Sequence, residues 1–327
     1  MGIIDLHCDT IGVLYQKHKT GQPLRLEDSA LQIDTNKLIA GDYYAQCFAM
    51  FVYYEVENPF EVCIEMIDLF YEELKKSETI RLALTYEDIL KNHENQKISA
   101  LLTIEEGGVT KSNLVYLRTF YRLGVRMICL NWNFENGVGY PNYGAYDASG
   151  KPDYRTPNTE KGLTEYGFSM VREMNRLGMI IDVSHLSDKG FWDVIHTTVK
   201  PIVASHSNAR GVCGHVRNLT DEMIIALHEN GGVMGMNYCA DFMDDDPKQG
   251  ENTIACTIRH IRYIKNLVGV DVIALGSDFD GIDPNIELKD ASFLPRLVQA
   301  LREDDFTEEE IDKITYKNAL RVFQAVL

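Results

Sequence analysis

Eight short apolar, β-branched segments, each followed by a stretch of helical periodicity, constrain this chain more than any other feature. The strand candidates are GIIDLH (2–7), YYAQCFAMF (43–51), ISALLTIE (98–105), VRMICLN (125–131), MIIDVSH (179–185), PIVASH (201–206), GGVMGMNY (231–238) and VIALGSDF (272–279). Between them lie helical patterns such as PFEVCIEMIDLFYEEL (59–74), LTEYGFSMVREMNRLG (163–178), LTDEMIIALHENG (219–231) and TIRHIRYIKNLVG (257–269). The last three end in glycine, a helix C-cap signal. Near-continuous apolar strands imply a parallel sheet covered on both faces. Eight β-α units in 327 residues point to an α/β fold of the closed (β/α)₈ TIM-barrel type, one domain over residues 1–327. No G-x-G-x-x-G follows the first strand, which weakens the dinucleotide-binding alternative. Residues 52–97 are expected to hold two helices. Residues 132–161, rich in Gly, Asn, Tyr and Pro, are expected as a lid over the substrate, with a surface excursion or dimer contact as the alternative.

Charge and cysteine usage narrow the partners and compartment. The formal net charge is −17, and no cluster of Lys and Arg interrupts it, which argues against nucleic acid or an anionic membrane. Apparent β-structure begins by Ile3, with no basic segment or long apolar run before it, so no secretory leader is expected. No apolar run reaches the ~18 residues needed to span a bilayer. The seven cysteines are odd in number and form no C-x-x-C pair, the pattern of reduced thiols in a cytoplasm.

Chemistry-bearing residues gather where the strands end. The first strand ends in His7-x-Asp9 and the third in Glu105-Glu106-Gly107-Gly108. The fifth ends in Asp182-Val-Ser-His185 and the sixth in Ser205-His206-Ser207. The eighth ends in Gly276-Ser277-Asp278-Phe279-Asp280. In a barrel these C-terminal ends form the catalytic face. Alternation sends His7 and Asp9 to one side and turns Cys8, read as a small buried hydrophobe, to the other. By contrast, His18, His93, His196, His228 and His260 fall in helical or surface patterns. Three strand-end imidazoles joined by carboxylates form a ligand set for zinc-like cations. Without Cys ligands, the site reads as catalytic and binuclear. Two ions ~3.5–4 Å apart need a bridging carboxylate, and they turn a shared water into hydroxide near neutral pH.

The motifs IIDLHCD, EEGG, IDVSHLS, ASHSNAR, GHVRN and LGSDFDG, in this order, resemble the membrane (renal) dipeptidase family of zinc peptidases, within the amidohydrolase-like barrels. The match runs from Ile3 to NALRVF near residue 318. The resemblance implies that His7 and Asp9 hold one zinc ion, that His185 and His206 hold the other, and that Glu106, immediately before Gly-Gly, bridges them. Glu105 has no counterpart in the motif and is expected to face away. Asp278 matches the acid/base carboxylate, Asp280 a loop hydrogen-bonder, and Arg217 the clamp on the substrate's terminal carboxylate, a role suited to guanidinium's fork of donors. His215 is expected to be structural.

The chain departs from the pattern after its fourth strand. Trp132 stands where mammalian-type enzymes carry a carbonyl-polarising His, so Asn131, Asn133 or the ions alone would do that work. Tyr316-Lys317-Asn318 also replaces the family's Gly-Gly-Asn, with packing consequences only. The implied function is hydrolysis of small dipeptides, L-Xaa-D-Xaa included, at two Zn²⁺ ions, with Mn²⁺ or Fe²⁺ as substitutes. The similar family includes homodimers. The alternatives are an amidohydrolase for N-acyl amino acids or cyclic amides, and a non-catalytic binding protein on the same barrel.

Overall fold

The computed structural model describes residues 2–53 and 55–327. Its strands are β1 (Ile3–Asp5), β2 (Tyr43–Phe51), β3 (Ile80–Leu82), β4 (Ile98–Glu105), β5 (Val125–Cys129), β6 (Ile180–Asp182), β7 (Val203–Ala204), β8 (Val233–Met236) and β9 (Ile273–Leu275). They pair in the order β2-β1-β9-β8-β7-β6-β5-β4, and a β2–β4 pairing closes the ring. Every pairing is parallel. The eight staves are the eight expected segments. β3 is a ninth strand, outside the ring and paired only to β4. It lies in the 52–97 connection, between helices Pro59–Lys76 and Tyr86–Glu94.

Several staves are shorter than their apolar runs because the backbone turns before the run ends. β6 stops at Asp182, and His185 has φ 65°. β9 stops at Leu275, and Asp278 has φ 64°. A left-handed residue cannot continue a ladder, so these side chains swing from the wall into the mouth of the barrel. The helices keep their expected ends. Helix Glu165–Leu177 is capped by Thr164, whose hydroxyl accepts from Gly167 N at 3.0 Å. The three terminal glycines all take positive φ, 76° at Gly178, 78° at Gly231 and 85° at Gly269.

The core has two parts. One fills the space between barrel and helices and includes Phe48, Leu102, Ile104, Ile128, Met234 and Leu275. The other lines the barrel with Cys47, Leu101, Met127, Val203, Val233 and Ala274 and continues into Val322, Phe323 and Val326 of the last helix, Asn318–Val326. Asn318 fastens that helix beside the N-terminal end of β9 by donating to Val270 O and Ile273 O, both at 2.8 Å. The barrel is thus stoppered at the mouth opposite the strand ends. No helix among the described residues is long and apolar enough to cross a membrane.

Candidate metal centre and active site

His7, Asp9, Glu105, His185 and His206 meet at the C-terminal mouth. At their centre is Glu105, the last residue of β4. Its Oε2 lies 3.3 Å from His7 Nε2, and its Oε1 lies 3.1 Å from His185 Nε2 and 3.4 Å from His206 Nε2. Asp9 Oδ2 is 3.4 Å from His7 Nε2. Among the donor sets that result, His7-Asp9-Glu105 and Glu105-His185-His206 each hold their ligand atoms within 4.8 Å of one another. They share one carboxylate.

The carboxylate that the two donor sets share is thus Glu105 and not the expected Glu106. Glu106 follows the strand with φ 114° and turns to the other side of the wall. There it accepts from Gly108 N, from Trp132 N at 3.0 Å and from the amide of Asn136. Burial pushes its carboxyl up to about 7 despite these donors. Its work is to hold the start of the 132–161 segment against β4.

The proton order around the imidazoles shows that the donor set fits divalent cations. Asn133 Oδ1 lies 2.8 Å from His185 Nδ1, and an amide oxygen only accepts, so that nitrogen carries the proton. Ser205 donates its hydroxyl to Asp182 and therefore accepts from His206 Nδ1 at 2.7 Å. Both Nε2 atoms are left as bare lone pairs, yet they stand 2.9 Å apart. Two acceptors at that separation repel unless a cation lies between them and the carboxylate. His7 Nε2 and Asp9 Oδ1 are likewise buried without a hydrogen-bond partner. Burial, with the Arg217 charge, drives the His185 pKa well down, and burial with the His7 charge lowers that of His206, which favours the neutral form that a divalent cation requires. Burial opposes charge on Glu105 too, but the neighbouring imidazoles, His7 first, hold its carboxyl well below the usual carboxylate range.

A cavity of about 910 Å³ opens above this centre. Asp9, Glu105, Asp278 and His185 form its floor, and Phe51 and Trp132 part of its wall. Asp278 Oδ1 is 3.8 Å from His7 Nε2, while its Oδ2 accepts from Asn237 Nδ2 at 2.9 Å. Trp132 packs against Phe51 at 5.0 Å and His185 at 5.8 Å, so an indole wall occupies the place expected for a polarising group. Asn133 also lines the cavity, but its oxygen serves His185. Asn131 is corrected: it is fully buried and donates to Phe134 O at 3.1 Å, inside its own turn. Arg217 is 3% exposed and donates to His206 O at 2.9 Å and Ser207 Oγ at 3.3 Å, with Nε unpartnered. Asp280 accepts from Thr10 Oγ1 at 2.6 Å and Gln32 N at 2.7 Å, which makes it a loop fastener. His215 accepts from Arg217 N at 3.1 Å and stacks on Tyr154.

Sequence reasoning missed Asn136 and Asn237, and named Ser205 at its strand end without giving it a role. Ser205, directly before a strand-end His, carried the one readable signal. The 132–161 segment has no regular helix or strand. Its backbone is tied down by Ser187 N to Tyr140 O and Val216 N to Tyr154 O, both at 3.0 Å, and Arg155 pairs with Asp245. All seven cysteines are unpaired thiols.

The whole chain, residues 1–327, matches the family model described as "Membrane dipeptidase (Peptidase family M19)". An uncharacterized protein of Klebsiella pneumoniae, from the pqqA 5′ region, is 39% identical over 76% of this chain and 89% of its own length. Human Dipeptidase 3 is 30% identical over 99% of this chain and 65% of its own length. The solved structure of dipeptidase AC, a metallo peptidase of family M19, superposes with a TM-score of 0.89 at 26% identity over 100% of this chain and 98% of that one. The chain belongs to the membrane dipeptidase family, peptidase family M19, and is a metallo-dipeptidase.

Proposed function

We propose that this enzyme hydrolyses the amide bond of small dipeptides, L-Xaa-D-Xaa included, with two zinc-type divalent ions held by His7 and Asp9 on one side and His185 and His206 on the other. The observation that carries the two-ion reading is Glu105, with one carboxylate oxygen in each donor set. Such ions, when bound, supply Lewis acidity and bring water's pKa towards neutrality. The protein's own groups do the rest. Asp278, on the cavity floor and aimed by Asn237, takes the proton of the attacking water at one carboxylate oxygen and returns it to the leaving amine. Arg217 offers its unpartnered Nε and remaining N–H donors to the substrate's terminal carboxylate, so chain length is read from that end. The acidic cavity favours the substrate's free ammonium group. Residues 132–161 would serve as its cover, with Trp132 and Asn133 in the cavity wall. The seven thiols support a reducing compartment, the cytoplasm, which cell fractionation checks.

The indole wall at Trp132 favours one second reading, hydrolysis of N-acyl amino acids or cyclic amides at the same centre. Zinc-reconstituted protein assayed with L-L and L-D dipeptides, N-acyl amino acids and a cyclic amide separates the two. Cleavage of dipeptides is the expected result. Turnover of acylated substrates alone, with metal bound, would overturn it.

A further inference from the structure

The triplet Ile-Ile-Asp occurs twice, and each time it forms an entire strand: Ile3–Asp5 is β1, and Ile180–Asp182 is β6. Both aspartates are 1% exposed, and both bind the backbone in the same way. Asp5 Oδ1 accepts from His7 N, two residues on, at 3.2 Å and from Ser277 N beyond the neighbouring β9 at 2.9 Å. Asp182 Oδ1 accepts from Ser184 N, two residues on, and from Ser205 N beyond the neighbouring β7, both at 2.9 Å. The first bond of each pair is an Asx turn, which ends a ladder. The second fastens the released end to its neighbour. What is fastened is His7 and the residue before Asp278 in one case, and the residues before His185 and before His206 in the other.

We propose that Asp5 and Asp182 are paired positioning residues, one for each half of the metal centre. The inference rests on the two-ion reading above. Asp182 also sets a proton. Because Ser205 donates to its Oδ2, Ser205 Oγ must accept from His206 Nδ1, and His206 Nε2 stays bare towards Glu105. An amide at position 182 would present N–H to Ser205. The hydroxyl would then turn to His206 Nδ1, and the proton would move to Nε2, closing that lone pair to an ion. Asp5 Oδ2 has no hydroxyl partner, so an amide there keeps both backbone acceptor bonds and reverses nothing. Asp182 also lies within 4.8 Å of donor atoms of His7 and His206. Its two oxygens already take two N–H groups and one O–H, which favours the positioning role over direct ligation.

Zn²⁺ titrations of the metal-stripped full chain, with apo-protein melting temperatures beside them, test this for wild type, D5N, D182N and S205A. Wild type should bind two ions. D182N and S205A should weaken the same ion by ~10–100-fold, the usual range for loss of a group that orients a ligand. D5N, which keeps both backbone bonds, should leave the other ion near wild-type affinity, whereas D5A, titrated beside it, removes both bonds and should weaken that ion. S205A keeps the backbone bonds to Asp182 and so serves even if D182N fails to fold. Lower apo melting temperatures with all ion affinities unchanged would overturn the proposal. So would loss of an ion in D182N with wild-type affinity in S205A, since Asp182 would then be a ligand. A wild type that binds one ion would overturn the two-ion reading instead, and the positioning role would then stand only if D182N and S205A weaken that ion together.

Discussion

Glu105 and Glu106 are adjacent and identical in chemistry, and half a turn of backbone separates their roles. Glu105→Ala is expected to lower bound zinc below two per chain, as measured by metal analysis after dialysis. Glu106→Ala should leave that stoichiometry intact. It should cost about 1–3 kcal/mol of stability in denaturant titrations, because buried N–H donors from Gly108 and Trp132 lose their acceptor. Asp278→Asn should lower kcat by ~10²–10⁴ with metal content unchanged, which steady-state kinetics on a cleaved dipeptide would show. That Glu105 and not Glu106 faces the other donor residues was legible in ISALLTIE. Ile98, Ala100, Leu102 and Ile104 belong to the outer core, whereas Leu101 faces the barrel interior and shares Glu105's parity. Counting back from Gly-Gly chose the wrong neighbour. His185 and Asp278 were legible as strand-end residues, but their left-handed φ was not, because it is imposed by bonds to remote groups such as Asn133 and Asn237.

At the level of elements, the eight staves could be read because each is an apolar run bounded by turn residues. β3 could not, since Ile-Arg-Leu makes too short a run to register. The last helix was readable as amphipathic, but not as the stopper of the barrel, because its partners are spread over the whole chain. Phe323 is fully buried there with Met127, Val203 and Val233 in the same cluster. Phe323→Ala should cost ~3–5 kcal/mol in chemical denaturation. Zinc affinity should hardly change, because the cavity and its floor lie at the other mouth.

For the molecule as a whole, the acid limb of stability should report buried neutral histidines. His260 donates from Nε2 to Met243 O at 3.0 Å and accepts at Nδ1 from Ala209 N at 3.2 Å, so it has no place for a second proton. Burial lowers its pKa to about 4, and burial together with the nearby arginines lowers that of His215 to about 3. The unfolded chain takes up these protons near pH 6.5 and the native one does not. Stability therefore falls as pH drops from about 6.5 to 4, by about 1.4 kcal/mol per pH unit for each such group. Thermal denaturation of metal-free protein should show this slope, and His260→Gln should flatten it. Sequence periodicity placed His260 among ordinary helical positions and carried no sign of its burial, which depends on Met243 and Ala209 coming together across the fold. A cylinder corked at its base leaves a single doorway. The two amino acids made in each turnover are expected to leave by the route their parent took in, so added product should slow turnover in initial-rate assays.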